Sequence, residues 1–252
     1  MRPARGLVVQ SSENEVARRI RRLAHRREPG EVLLEGPRVV REASLAGVEI
    51  ELLVLRADVR RYDVPAERTV VLSERLFNSV STTVTPQGVI AIARRDAVAL
   101  LEALGVAGAT DWPLIVLDGI QDPGNVGTIC RTAAAAGAPA IAVLEGTADP
   151  FGPKAVRASS GNVFRLAVGA GRWEELAGRL AYGAAAEGGR ALEEAPIEGA
   201  ELLVLGSEAH GLRRGGLERV TIPVAEGVES LNVAAAAAVL LFEIRRRKTA
   251  GR

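Results

Sequence analysis

The chain has 252 residues, enough for one large domain or two small ones with a buried core. Hydrophobic residues at 48% and charged ones at 25% match a soluble globular protein, and no run of about 18 apolar residues is present to span a membrane. The net charge of +1 excludes a uniformly basic or acidic protein, and a single cysteine, Cys130, excludes an intrachain disulfide and a cysteine-built zinc site.

The charge is unevenly spread. Residues 1–30 hold eight arginines against three glutamates, densest in RRIRRLAHRR, and IRRRK near the C-terminus is a second basic run. Such runs are either a solvated helix face or a surface that meets phosphates, whose oxygens suit the arginine fork. The same N-terminal stretch lacks the apolar segment of a secretory signal, so a reducing cytoplasm is the expected location.

In chain order, Ser12-Glu13-Asn14-Glu15 fits a capping box opening a helix that runs to about Arg27, before Pro29-Gly30 breaks it. EVLLEG, IELLVLR, RTVVLS and GVIAIARR read as strands, with PRVVREASLAG and ERLFNSV as helices among them. This alternation predicts a small α/β domain over 1–95. Residues 96–112 begin as a helix and end in Gly, Ala and Thr, which marks a linker. Over 113–252 the strands LIVLD, AIAVL, VFRLAV, AYGAA, LLVLG and VTIPV are almost continuously apolar, the pattern of a parallel sheet with helices on both faces.

Ligands of open α/β sheets gather beyond the carboxyl ends of strands, so the loops after these strands carry the chemistry. The first is DGIQDPGNVGTICRTAAAAG. Its glycines, Gly119, Gly124 and Gly127, match neither the dinucleotide fingerprint nor the P-loop, and no lysine follows. Its distinctive side chains are Asn125 and Arg131, about 240° apart on a helix beyond one full turn. Asn125 either caps that helix or faces a pocket mouth. The second loop, LGSEAHGL, places Glu208 between Gly206 and Gly211, where it either holds a ligand hydroxyl or caps the following helix. His210 lacks metal-ligand neighbours and reads as a surface histidine. In the third, IPVAEGVESLNVAAAAAVLLFE, Ser230 is a good N-cap, and the alanines behind it allow close helix packing.

Taken together, NVGTICRTA, GSEAHGL and IPVAEGVESLNVAAA resemble, in order, the three signature motifs of the SpoU (TrmH-like) RNA ribose methyltransferases of the SPOUT superfamily. KAVRASSGNVFRL resembles a further segment of that family, and VLLEGPRVVREA with TPQGVIAI resembles its substrate-binding N-terminal domain. Ser207, Ala209 and Ala234 depart from the usual Asn, Gly and Ser of these motifs, which touches loop geometry.

The resemblance implies an α/β fold in which a small substrate-binding domain precedes a SPOUT domain, mostly parallel in its sheet and tied in a deep trefoil knot. It implies S-adenosylmethionine as cofactor, held by Leu205, Gly206, Ile222 and Leu231, and no metal. It places Asn125, Arg131, Glu208, Ser230 and Asn232 around the reacting centre. It implies methyl transfer to an RNA ribose 2′-hydroxyl by a homodimer without membrane attachment. A full N-terminal domain points to ribosomal RNA, with tRNA as the alternative substrate. Arginine is an awkward base because its pKa exceeds about 12. Either a substrate phosphate helps to take the proton, or Arg131 clamps that phosphate and polarises the hydroxyl. Two rivals are a non-catalytic RNA-binding protein on the same fold and a dinucleotide-dependent oxidoreductase, the latter weakened by the glycine spacing.

Overall fold

The computed structural model describes residues 8–207 and 211–250. The chain divides into two compact units, one taking residues up to Asp96 together with Phe151–Phe164, the other Ala97–Pro150 and the chain from Arg165 onward.

In the first unit, helix α1 (Glu15–His25) buries Val16, Ala17, Ile20 and Leu23 along one face. Its cap is Asn14, whose Oδ1 accepts the Val16 amide at 2.9 Å, rather than Ser12. The helix starts where its apolar stripe starts, and Asn14 is the strong capping residue nearest to that point. There follow β1 (Glu31–Glu35), α2 (Pro37–Leu45), β2 (Glu49–Arg56), β3 (Arg68–Leu72), α3 (Glu74–Val80) and β4 (Val89–Arg94). The sheet runs β1-β4-β2-β3, with β4 antiparallel to β1 and β2, and β3 parallel to β2. Its core joins the α1 stripe to Leu33, Leu52, Val54, Phe77 and Ile92.

The second unit contains β5 (Val98–Ala99), α4 (Leu100–Gly108), β6 (Leu114–Asp118), α5 (Pro123–Ala136) and β7 (Ala140–Val143). Helix α6 (Pro153–Ala158) belongs to the first unit, and the second resumes with β8 (Ala167–Ala170), β9 (Ala181–Ala184), β10 (Arg190–Ala191), β11 (Leu202–Gly206), β12 (Glu218–Thr221) and α7 (Val233–Ala250). Its sheet runs β10-β12-β9-β11-β6-β7-β8-β5, and every pairing is parallel. The apolar runs find their explanation here: each residue of β6 is buried, because both faces of the sheet are covered.

Two segments differ from the sequence reading. VFRLAV is not one strand: Asn162–Arg165 is a 3₁₀ turn and the strand begins at Ala167. Val163 and Phe164 are buried by the turn instead, and Phe164 stacks on Phe151 with ring centroids 6.0 Å apart. Residues 96–112, read as a linker that begins as a helix, carry that helix as α4 and, ahead of it, the unexpected strand β5. Strand β5 pairs with β8, and α4 lies so close to β8 that a Cβ on Gly169 would sit 2.7 Å from that of Ala103.

Candidate active site

Strands β6 and β11 are central neighbours in exact register, with Gly206 opposite Asp118, so their carboxyl ends finish side by side. From β6 the chain turns into α5. Asp122 caps that helix by accepting the Asn125 amide at 3.2 Å, and Pro123 fits its first turn. Asn125 is therefore not the cap, and its side chain is spared for another partner. That partner is Asn232, 107 residues later, whose Nδ2 donates to Asn125 Oδ1 at 3.3 Å.

Asn232 also caps α7, its Oδ1 accepting the amides of Ala234 at 2.9 Å and Ala235 at 3.3 Å. Ser230, expected to be the cap, lies too far ahead of the first helical residue, Val233. At the far ends of the two helices, Arg245 Nη1 donates to the Ala135 carbonyl at 2.7 Å. Start meets start and end meets end, so α5 and α7 run parallel and bring both N-termini to one place.

Beside this place lies a cavity of about 420 Å³, within the range of small-molecule sites. Gly206, Ile222, Ser230, Leu231 and Asn232 all line it. Leu205 does not; it is fully buried within the sheet, opposite Leu117. Arg131 lies outside the cavity, exposed on α5, and makes no hydrogen bond or salt bridge among the described residues. Glu208 and His210 lie outside the described residues.

The sequence reading missed further wall residues: Ala184–Ala186, Val220 and Glu229. Ala184–Ala186 follow β9, the neighbour of β11, and the rule that ligands gather at strand ends applies to them equally. It also missed the latch on the second loop. Asp118 is 1% exposed, and Arg214 donates to it through Nε at 3.1 Å and Nη2 at 3.3 Å while stacking 5.8 Å over the Trp173 ring. A carboxylate closing an otherwise apolar strand was the available signal.

Gly206 has a distinct reason to be glycine. The chain returns across the end of β11, where Gly211 N donates to the Ser207 carbonyl at 2.8 Å, and a Cβ on Gly206 would lie 2.2 Å from the Gly211 carbonyl oxygen. Cys130 is buried in α5, which pushes its thiol up to about 12 and leaves it without a role as nucleophile. Among the described residues there is no His/Cys/Asp/Glu group able to hold a metal, and no helix is long and apolar enough to cross a membrane.

Residues 113–242 match the model of the SpoU rRNA Methylase family. The chain belongs to that family. Residues 14–91 match a second model, the MRM3-like substrate binding domain, and relatives align across both matched regions. One is the Bacillus subtilis 23S rRNA (guanosine(2553)-2'-O)-methyltransferase RlmP, 32% identical over 94% of this chain and 98% of its own. Among solved structures, the AdoMet-bound rRNA methyltransferase of Sinorhizobium meliloti is 28% identical, with a TM-score of 0.79 over 96% of this chain and 98% of that one. The SpoU methyltransferase AviRb of Streptomyces viridochromogenes, in complex with the cofactor AdoMet, is 25% identical, with a TM-score of 0.81 over 95% of this chain and 100% of that one.

Proposed function

We propose that this chain transfers a methyl group from S-adenosylmethionine to a ribose 2′-hydroxyl of ribosomal RNA. The observation that carries the reading is the cavity at the ends of β11 and β12, beside the Asn125–Asn232 amide pair, in a member of the SpoU rRNA methylase family. The wall fits the cofactor. Among the described residues no cationic side chain lines the cavity, and Glu229 is its one charged group. A dinucleotide's pyrophosphate finds no counter-charge there, whereas a sulfonium and an ammonium are tolerated. The small walls at Gly206, Gly211 and Ala184–Ala186 leave backbone groups close to a flat adenine.

S-adenosylmethionine, when bound, supplies an already activated methyl group. What remains for the protein is alignment and the removal of one proton. Asn125 and Asn232 orient the ribose at the cavity mouth, with Ser230 beside them. Arg131 holds the substrate phosphate through its guanidinium fork and polarises the hydroxyl, while the proton leaves to that phosphate or to water.

The enzyme works as a homodimer in the cytoplasm, with its C-terminal region knotted as in the SPOUT superfamily. Support for the dimer comes from an apolar stripe on α7, Ala235, Val239 and Phe242, with Leu231 just ahead of the helix. All of it is exposed, Phe242 at 48%, and self-association would cover it.

The test is transfer of labelled methyl to total RNA, with products mapped by resistance to alkaline cleavage. Label is expected on ribosomal RNA; label on tRNA alone overturns the substrate. Arg131→Ala is expected to abolish transfer while cofactor affinity stays within a few-fold, and near-normal turnover in that variant overturns its role.

A further inference from the structure

Part of the charge of the arginine-dense run about helix α1 is already answered by carboxylates, while Arg18 and Arg26 stay exposed with no ion pair among the described residues. Arg19 is held by Glu31 at 2.7 Å and Glu51 at 2.5 Å, Arg27 by Asp96 at 2.5 Å, and Arg22 lies 3.9 Å from Glu28. Each of these carboxylates repels a phosphate about as strongly as its arginine attracts one. Glu31 and Glu51 stand near the starts of β1 and β2.

The other end of the same sheet, where β1 and β2 finish and β4 begins, is built differently. Three loops meet there. Gly36 N donates to the Val89 carbonyl and Arg56 N to that of Gly88, each at 2.9 Å, and the Tyr62 hydroxyl donates to the Pro37 carbonyl at 2.5 Å. Gly88, at φ +77°, passes so close to Val59 that a Cβ would lie 2.6 Å from its Cγ2.

A carboxylate organises the centre. The Glu35 side chain, 9% exposed, accepts the hydroxyls of Ser81, Thr82 and Thr83 and the amides of Thr82 and Thr83. Arg157 completes it, 3.8 Å from Glu35 and donating to Thr82 Oγ1 at 2.8 Å. This fixes a loop whose tip presents Val84, fully exposed, with Thr85 and Gln87 also open to solvent.

Around the loop the arginines divide. Arg56 and Arg61 are neutralised by Asp58 and Asp63. Arg38, Arg41 and Arg60 are exposed, and their guanidinium groups form no salt bridge among the described residues. Unpaired guanidinium groups release counterions when they meet phosphates, and their planar forks match phosphate oxygens.

We propose that this end of the first unit, with Arg38, Arg41 and Arg60 around the Ser81–Gly88 loop, grips the RNA by its phosphates, while α1 stays outside the contact. The proposal rests on the activity assigned above and says where its substrate is held. The loop tip offers an apolar and a polar contact to unstacked bases, the form in which single-stranded RNA is read.

The test uses the full chain and deproteinised ribosomal RNA, with filter binding across a salt series and methyl transfer measured on the same samples. In R38Q/R41Q/R60Q, affinity is expected to fall at least tenfold at about 0.1 M salt, with the slope of log K against log salt shallower by about 2. R18Q/R26Q, which changes two exposed arginines on the α1 side, should stay within twofold of the parent. Circular-dichroism melts and S-adenosylhomocysteine affinity should be unchanged in both. An unchanged slope in the triple variant, or an equal loss in the α1 variant, overturns the surface. If the parent neither binds RNA nor transfers methyl, the activity itself fails; if it does both and the triple variant is indifferent, only the surface fails.

Discussion

Gly206→Ala adds one methyl group where the second loop crosses the end of β11. The new Cβ would lie 2.2 Å from the Gly211 carbonyl oxygen, 2.5 Å from its carbon and 2.9 Å from Leu212 N, all of them backbone atoms. No rotamer change relieves such contacts. Restoring an ordinary carbon–oxygen separation of about 3.3 Å pushes the returning strand away by about 1 Å. That strains the bridge in which Gly211 N donates to the Ser207 carbonyl at 2.8 Å. Overpacking of this kind costs about 1–3 kcal/mol and a lost hydrogen bond about 1 more. Gly206, Ser207 and Gly211 all line the cavity, so a loss of about 2–4 kcal/mol falls on the ligand site itself. Because the free protein bears part of the same strain, about 30- to 1000-fold is the ceiling on the drop in affinity, read by calorimetric titration with S-adenosylhomocysteine. Gly211→Ala is the matched control: its Cβ meets nothing within 4 Å, and only its φ of +58° opposes the change, at about 1 kcal/mol. If Gly206→Ala binds like the parent, or Gly211→Ala proves the more damaging, the account of this loop is wrong.

Two further outcomes follow from single side chains. Asn232→Ala removes both the α7 cap and the amide bond to Asn125, so it should cost about 1 kcal/mol of stability, a fall of about 2–4 °C in Tm, together with most of kcat. Asn232→Asp keeps the cap but loses the donor to Asn125; its Tm should recover while methyl transfer does not, and joint recovery would dismiss the amide pair. Glu35→Gln tests the loop anchor. Burial raises the Glu35 carboxyl, but the hydroxyls and amides of Ser81–Thr83 outweigh it and hold the group below its ordinary 4.5. A depressed native pKa means its stabilisation is fully present above 4.5 and is lost as the pH falls through the lower native value. The variant should therefore be less stable by about 2 kcal/mol at pH 7, with the gap closing in acid, as read from urea melts at pH 7 and about 3.

Much of this molecule was legible because local rules agreed with one another. The burial of every residue in β6 follows from its apolar run, and the failure of Gly119, Gly124 and Gly127 to match a phosphate cradle is consistent with a cavity lined by no described cation. Capping was legible only in kind. Asn14, Asp122 and Asn232 are the side chains that cap, yet Ser12, Asn125 and Ser230 sit within three residues of them and are equally good cappers by type. Propensity cannot choose among such neighbours. The choice falls to the first residue that the tertiary core needs on the buried face, such as Val16 in α1 or Val233 in α7.

What the sequence withheld was pairing at a distance, and there the physics is one of partners rather than of patterns. The run RRIRRLAHRR reads as a phosphate surface because its acids are elsewhere: Glu31 and Glu51 lie 12 and 32 residues from Arg19, and Asp96 lies 69 from Arg27. Each brings a negative charge to within contact of the positive one, and local charge density then says little about the field that solvent sees. The converse holds for Arg38, Arg41 and Arg60. They are scattered in sequence and unremarkable by density, but no described carboxylate forms an ion pair with them. The same logic assembles the active site. Asn125 acquires its chemistry from Asn232 only because α5 and α7 run parallel in one layer, and that follows from the all-parallel sheet beneath them rather than from either motif.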